Sequence, residues 1–137
     1  MKRTANAHWE GTLKEGRGNL TTASEILNQT NYSFKTRFEE GNNGTNPEEL
    51  LAAAHAGCFT MAISLALTEK GYNPTSLDTE ATVSMNDKGM TGVHLSIVGD
   101  VPNIEKGEFE SITASAAENC FVSKALNLSI SSEARLV

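Results

Sequence analysis

The feature that most constrains this 137-residue chain is a long helical segment that begins at Asn46 and ends near Gly71. Asn46 is a favoured N-cap residue, Pro47 is preferred at the first helical position, and Glu49 completes an Asn-x-x-Glu capping box. Gly71 is a typical C-terminal stop. The sequence therefore predicts a helix of about 24 residues, which would be about 36 Å long.

A helix of that length is longer than a compact domain of this size comfortably encloses. One apolar face has a heptad-like spacing and is predicted to pack against protein; it consists of Leu51, Ala54, Cys58, Met61 and Leu65. A second face is also apolar and contains Leu50, Ala53, Ala62 and Ala66. A second copy of the chain would cover that second face, so the sequence predicts an obligate homodimer.

Strand patterns precede the long helix. The segments AHWEGTL, GRGNLTTAS and NYSFKTRF are predicted as three strands. In the third, Tyr32, Phe34, Thr36 and Phe38 would share one face of the sheet, and Arg37 would lie on the other.

Strand and helix patterns also follow the long helix. LDTEATVSM and GVHLSIVGDV read as two strands, GEFESITASAAENC as an amphipathic helix, and LNLSISSEARLV as a final strand. The helix would bury four residues at helical spacing, namely Phe109, Ile112, Ala116 and Cys120. This order predicts one α+β domain over residues 1–137.

Composition and charge exclude several function classes. The net charge is −6, and the 11 Lys and Arg residues form no cluster, so no electrostatic footprint for nucleic acid or an anionic membrane is present. The N-terminal MKRTANAHWEG lacks the apolar stretch of a secretory signal, and we see no run of about 18 apolar residues that would span a membrane. We therefore expect a cytoplasmic protein without membrane or nucleic-acid partners.

The pattern alone leaves the role of the two cysteines open. Cys58 and Cys120 are either small core residues or the two halves of a redox reaction. His55 and Cys58 form an i, i+3 pair that could supply half of a metal site, but no spacing supplies further ligands. A packed histidine is the favoured interpretation, and no metal is predicted.

A resemblance carries the interpretation further. The run TRFEEGNNGTNPEELLAAAHAGCFTMAISLAL closely resembles the OsmC/Ohr family, the osmotically inducible and organic-hydroperoxide-resistance proteins. AHWEGTLKEGRG, GYNPTSLDTEATVSM and ENCFVSKALN agree in the same order, so the resemblance covers essentially the whole chain. AHWEG and AAAHAGCF resemble the OsmC branch more than the Ohr branch.

This resemblance implies a thiol peroxidase that acts on organic hydroperoxides in preference to hydrogen peroxide and needs no metal or organic cofactor. Cys58 matches the peroxidatic cysteine, which becomes a sulfenic acid, and Cys120 matches the resolving cysteine, which forms a disulfide with it. Arg37 and Glu48 match the family's pair beside the reactive sulfur. The implied fold is an intertwined homodimer with antiparallel sheets wrapped around two long central helices. Some members are reduced by dihydrolipoyl groups.

Helix geometry adds a constraint to these roles. Glu48 and Cys58 are ten residues apart on one predicted helix, which corresponds to about 15 Å along its axis. If both serve one sulfur, Glu48 must therefore come from the partner subunit. Apolar residues that could bind an alkyl tail of the substrate are Phe34, Phe38, Phe59, Met61 and Phe121.

One position departs from the family pattern. Members often carry proline directly after the resolving cysteine, whereas this chain has Phe121. Phe121 would allow the helix to continue through Cys120, and the resolving step would then be slower or different in geometry. Two alternatives remain: a non-catalytic dimer that binds an apolar ligand and has inert cysteines, and a metal-binding protein built on His55 and Cys58.

Overall fold

The structure is a computed structural model that describes all 137 residues of the chain. Its internal contacts divide it into two compact units, Met1–Leu50 and Leu51–Val137. The element order is three strands, two helices, two strands, two helices and a final strand. The predicted α+β class is confirmed, and the single domain stays a prediction.

The first unit contains a small antiparallel sheet with the strand order β1-β2-β3. Its strands are β1 Ala5–Glu10, β2 Arg17–Thr22 and β3 Thr30–Tyr32. The Trp9 and Tyr32 rings pack together with 5.4 Å between their centroids. The first two predicted strands are therefore confirmed.

The third predicted strand is wrong after Tyr32, because the chain turns there into a short helix, α1 Phe34–Phe38. The Ser33 side chain accepts the N–H of Thr36, and the Thr36 hydroxyl accepts the N–H of Ser33, which forms a reciprocal capping box. Phe34 and Phe38 thus lie one helical turn apart. Their tilted rings pack together with 4.8 Å between the centroids, and they do not share a sheet face. The alternating aromatic pattern concealed this local cap.

The long predicted helix is α2 Pro47–Glu69, with 23 residues. At its start the Asn46 side chain accepts the N–H of Glu49 at 2.8 Å, while the Glu49 carboxylate accepts the hydroxyl of Thr45. At its end Gly71 adopts φ +87°, and the N–H of Tyr72 donates to the carbonyl of Leu67. This is a Schellman motif, so the predicted stop is confirmed with its physical cause.

The second unit contains a mixed sheet with the order β4-β5-β6. β4 Ser76–Asn86 and β5 Gly89–Asp100 form an antiparallel hairpin, and β6 Ser129–Leu136 pairs with β5 in parallel. The expectation of purely antiparallel sheets is therefore wrong for β6. Helices between β5 and β6 carry the chain back to the end of the sheet at which β5 begins. β6 therefore runs in the same direction as β5.

The core of the second unit lies between this sheet and one face of α2. That face consists of His55, Phe59, Ile63 and Leu67, each 0% exposed. The predicted seam does not form this core, because Ala54, Met61 and Leu65 are exposed in the single chain while Leu51 and Cys58 are half-buried. A helix that is apolar around its whole circumference gives no periodic signal to distinguish these faces.

The second predicted helix is confirmed as α3 Lys106–Asn119, and all four residues predicted to be buried there are buried, namely Phe109, Ile112, Ala116 and Cys120. The helix does not continue through Cys120, however. Cys120 is extended, with φ −62° and ψ 150°, and it caps a second helix, α4 Phe121–Ala125. The expectation that Phe121 lets the helix run on is therefore wrong.

The expectation that no segment can span a membrane also needs correction. By length and composition alone α2 is apolar enough, with a mean hydropathy of 1.8 over 18 residues. This is weak evidence for a membrane span, because the central helix of a folded core meets the same criterion. Only 22% of that window is buried in the single chain.

Candidate active site

The first unit holds an ion pair between Arg37 of α1 and Glu48 in the first turn of α2. The Arg37 Nε atom donates to both carboxylate oxygens at 3.0 and 3.2 Å, and Nη2 donates to Oε1 at 2.6 Å. The Glu48 side chain is 9% exposed and the Arg37 side chain is 43% exposed. The pairing that the family resemblance implied is therefore present within one chain, whereas we expected from the sequence that Glu48 would reach the site from the partner subunit.

This contact fixes the orientation of the guanidinium plane. Glu48 occupies the edge formed by Nε and Nη2, and Nη1 makes no hydrogen bond in the chain. The Phe38 ring lies 5.3 Å from the guanidinium carbon and supports it from one face. A cavity of about 410 Å³ borders Arg37, and its lining also includes Glu39, Asn42 and Glu49. The Nη1 group is therefore a positioned cationic donor.

Cys58 lies in the middle of α2, in the second unit, as a half-buried free thiol. It packs against the buried apolar cluster that contains Phe59, Ile63 and Cys120. This placement agrees with the prediction that the Cys58 side chain contacts protein.

Cys120 is also a free thiol, and it is 4% exposed at the junction of α3 and α4. Its Sγ atom lies 3.0 Å from the hydroxyl of Ser123 and accepts the N–H of Ser123 at 3.4 Å. The same hydroxyl lies 2.6 Å from Nε2 of His55. A continuous series of hydrogen bonds therefore joins Cys120 to His55 through Ser123, which lies 68 positions after His55 in the sequence.

His55 is fully buried, which confirms the interpretation of the sequence that it is a packed histidine. Its Nδ1 atom is buried and has no hydrogen-bond partner. Burial without a compensating charge lowers the pKa of His55 below its ordinary value of 6.5. The imidazole is therefore neutral at neutral pH. No group of three or more His, Cys, Asp or Glu side chains is arranged to hold a metal ion.

The aromatic residues proposed for a substrate pocket do not form one set. Phe59 is 0% exposed in the core of the second unit and cannot line an open pocket. Phe121 and Met61 are 86% and 74% exposed. Phe34 and Phe38 stack on each other within α1. The prediction is therefore wrong for Phe59.

Sequence reasoning assigned no role to Ser123, the residue that links Cys120 to His55. Its signal was present in the sequence as Cys120-Phe121-Val122-Ser123, a side-chain acceptor followed three residues later by a hydroxyl, which is the spacing of an N-terminal cap. The contact with His55 has no local signal, because it depends on how α4 packs against α2 within the second unit.

A family model described as OsmC-like protein matches residues 40–134. Peroxiredoxin OsmC of Escherichia coli strain K12 is 45% identical over 140 residues, covering 99% of this chain and 97% of that protein.

Two solved structures share the fold. The crystal structure of the organic hydroperoxide resistance protein OhrB of Bacillus subtilis matches with a TM-score of 0.69 and 25% identity. The match covers 98% of this chain and 98% of that one. An organic hydroperoxide resistance protein OsmC from Legionella pneumophila has a TM-score of 0.71 and 22% identity, and the match covers 99% of this chain and 96% of that one.

Proposed function

This chain belongs to the OsmC-like protein family, and we propose that it is a thiol-dependent peroxidase that reduces organic hydroperoxides, and hydrogen peroxide less efficiently. The names of its relatives, a peroxiredoxin and organic hydroperoxide resistance proteins, support this activity. The structural observation that carries the proposal is the fork of hydrogen bonds that holds Arg37 on Glu48 and leaves one guanidinium N–H group free.

In the first step Cys58 is the nucleophile. Its thiolate attacks one oxygen of the peroxide, the O–O bond breaks, and Cys58 becomes a sulfenic acid while the alkoxide takes a proton to leave as an alcohol. A guanidinium near the sulfur favours the thiolate and stabilises the charge that develops on the leaving oxygen. Arg37 supplies this group, and Glu48 keeps its plane fixed.

In the second step Cys120 resolves the sulfenic acid. The Cys58–Cys120 disulfide forms, the S–O bond breaks, and water is released. Both residues belong to or pack against the same buried cluster of the second unit, which supports their meeting. A thiol reductant, for example a dihydrolipoyl group, then restores the two thiols. A cavity of about 370 Å³ that borders Cys120 between α2 and α3 is our candidate route for that reductant.

The working form that we propose is a homodimer with two shared sites. Glu48 and Cys58 stand ten residues apart on α2, about 15 Å along its axis. The Arg37–Glu48 pair of one subunit would therefore serve Cys58 of the other. The exposed apolar stripe of α2, which includes Ala54, Met61 and Leu65, supports a partner chain on this helix. A cytoplasmic location remains a prediction.

The decisive experiment is a thiol count on reduced protein before and after one equivalent of cumene hydroperoxide. We expect the wild-type chain to lose two thiols, and the Cys120→Ser variant to trap its one oxidised thiol as a sulfenate. The Cys58→Ser variant should not consume the peroxide. If both thiols of the wild-type protein survive, the peroxidase assignment is wrong.

The shared site is tested by complementation. Chains carrying Cys58→Ser are refolded together with chains carrying Glu48→Ala, so that a mixed dimer contains one site with both native residues. We expect activity in the mixture that neither variant has alone. A mixture without activity, when the dimers are shown to have exchanged subunits, would exclude the shared site.

A further inference from the structure

We propose that Ser123 and His55 form a proton relay that takes the thiol proton of Cys120 during the resolving step. The inference rests on the proposed function, in which Cys120 attacks the sulfenic acid of Cys58. A buried thiol is a poor nucleophile until it loses its proton, because only the thiolate attacks. Cys120 is 4% exposed, so water, a weak base at neutral pH with little access to the thiol, does not take this proton efficiently.

The atoms are arranged in the order that such a relay requires. The Cys120 thiol lies 3.0 Å from Oγ of Ser123, and this oxygen lies 2.6 Å from Nε2 of His55. Ser123 is 7% exposed and His55 is 0% exposed, so all three groups are shielded from solvent. A buried polar chain of this kind has few competing partners, which keeps its hydrogen bonds directed.

Before the transfer, the S–H group donates to Ser123, and the Ser123 hydroxyl donates to Nε2 of a neutral His55. Burial, which lowers the pKa of His55, keeps this nitrogen free to accept. After the transfer, the hydroxyl of Ser123 donates to the thiolate, and the N–H of Ser123, 3.4 Å from Sγ, donates to it as well. The thiolate is thus held by two donors from one residue.

The step balances without any further reactant. The Cys120 sulfur forms a bond to the Cys58 sulfur, and the S–O bond of the sulfenic acid breaks with its electron pair on the leaving hydroxide. The proton from Cys120 passes through Ser123 to His55, which then releases it to neutralise the hydroxide as water. Cys120 is oxidised and the sulfenic sulfur is reduced. Burial keeps His55 unprotonated before the transfer, and the same burial makes it a weak base that does not retain the proton.

Loss of the relay should slow disulfide formation and leave peroxide consumption unchanged. Reduced protein is mixed with one equivalent of cumene hydroperoxide, and peroxide consumption and disulfide formation are followed separately in time. In Ser123→Ala we expect peroxide consumption close to the wild-type rate, disulfide formation slowed by about tenfold or more, and a sulfenate that accumulates and reacts with dimedone. Ser123→Thr, which keeps the hydroxyl, should restore disulfide formation.

The role of His55 as proton acceptor is separated from its role as hydrogen-bond partner by His55→Gln. Glutamine can hydrogen-bond the hydroxyl but cannot take a proton at neutral pH, so we expect the same slow disulfide formation as in Ser123→Ala. The deficit should shrink towards pH 9, where hydroxide replaces the missing base. A merely structural defect would not recover in this way.

Matched controls are available in the same unit. His94 and Ser131 form a second His–Ser contact at 2.7 Å, but on the exposed face of the sheet. Ser131→Ala and His94→Gln should leave both steps unchanged. The proposal is overturned if disulfide formation is unaffected in Ser123→Ala and His55→Gln, or if both steps slow to the same extent. A wild-type protein that does not consume peroxide would instead refute the peroxidase function itself.

Discussion

At the scale of single residues, the proposed chemistry depends on buried polar groups. Glu48 and His55 are both buried, and each has a partner that determines what it can do. The Glu48 carboxylate accepts hydrogen bonds from the guanidinium of Arg37, whereas the imidazole of His55 meets only a hydroxyl. A buried charge needs an opposite charge nearby, and a buried neutral ring does not.

The burial of His55 predicts a pH dependence of stability. Its pKa in the folded chain is below 6.5, so above pH 6.5 it is neutral in both the folded and the unfolded states and has no effect. Below pH 6.5 the unfolded chain binds the proton more readily, and the free energy of unfolding falls, by at most about 1.4 kcal/mol per pH unit, until the folded pKa is passed.

Urea unfolding of the wild-type protein and of His55→Gln between pH 8 and pH 5 measures this contribution. We expect the wild-type protein to lose more stability than the variant below pH 6.5. His94→Gln, which keeps His55, should follow the wild-type curve. Parallel curves for the wild-type protein and His55→Gln would contradict the prediction.

At the scale of secondary-structure elements, two features position the segment around Cys120: a close contact and a helix break. The first is the contact of α3 with β5, where the Phe109 ring lies against the backbone of Gly99. The second is the break between α3 and α4, where the extended backbone of Cys120 ends one helix and begins the next. Together they place the Cys120 thiol next to Ser123 rather than along the axis of one continuous helix.

Gly99→Ala tests the close contact between Gly99 and Phe109. A Cβ atom at this position would lie 2.5 Å from the Phe109 ring and 3.3 Å from Leu77, so the buried ring, or the helix that carries it, must shift. We expect a loss of about 1–3 kcal/mol in the free energy of unfolding. The control is Gly107→Ala in α3, where no atom lies within 4 Å and a gain of about 0.5–1 kcal/mol is expected. Equal effects of the two substitutions would show that Gly99 is not a close contact.

Phe121→Pro tests the break between α3 and α4. Phe121 occupies the first position of α4, where proline is favoured because its missing N–H needs no partner. We expect stability within about 1 kcal/mol of the wild type and an unchanged rate of disulfide formation.

Lys124→Pro is the matched control, because it removes the hydrogen bond from Lys124 to the Cys120 carbonyl and should cost about 3 kcal/mol. A large loss of stability in Phe121→Pro would mean that the helix start at Phe121 is wrongly placed.

At the scale of the whole molecule, the proposed dimer depends on α2. This helix buries one face in its own core and leaves Ala53, Ala54, Gly57, Met61 and Leu65 exposed in a single chain. Exposed apolar surface of this kind is typical of an interface. A charge placed in the stripe would have to be buried on association, which is costly when it has no partner.

Met61→Lys should therefore convert the dimer into monomers, as measured by sedimentation equilibrium, and should abolish peroxidase activity if the sites are shared. Met90→Lys carries the same substitution at a residue that is 41% exposed in the β4–β5 hairpin, and it should remain dimeric and active. A dimeric Met61→Lys protein would place the interface elsewhere.

The sequence by itself determined the features that depend on neighbouring residues. Asn46 caps α2 and Gly71 ends it through contacts within a few positions, so both ends are readable from local chemistry. The strands β4 and β5 and the buried side of α3 follow from their periodicity. The partnership of Arg37 with Glu48 came from resemblance to a family, and the structure supplies its geometry.

Only the tertiary structure decided which face of α2 is buried, that β6 is parallel, and that His55 meets Ser123. Each depends on contacts between residues far apart in the chain, such as the 68 positions between His55 and Ser123. No local pattern encodes such a contact, because a helix that is apolar on every side packs equally well by composition in several orientations. The choice among them is made by the shapes of the elements that meet it.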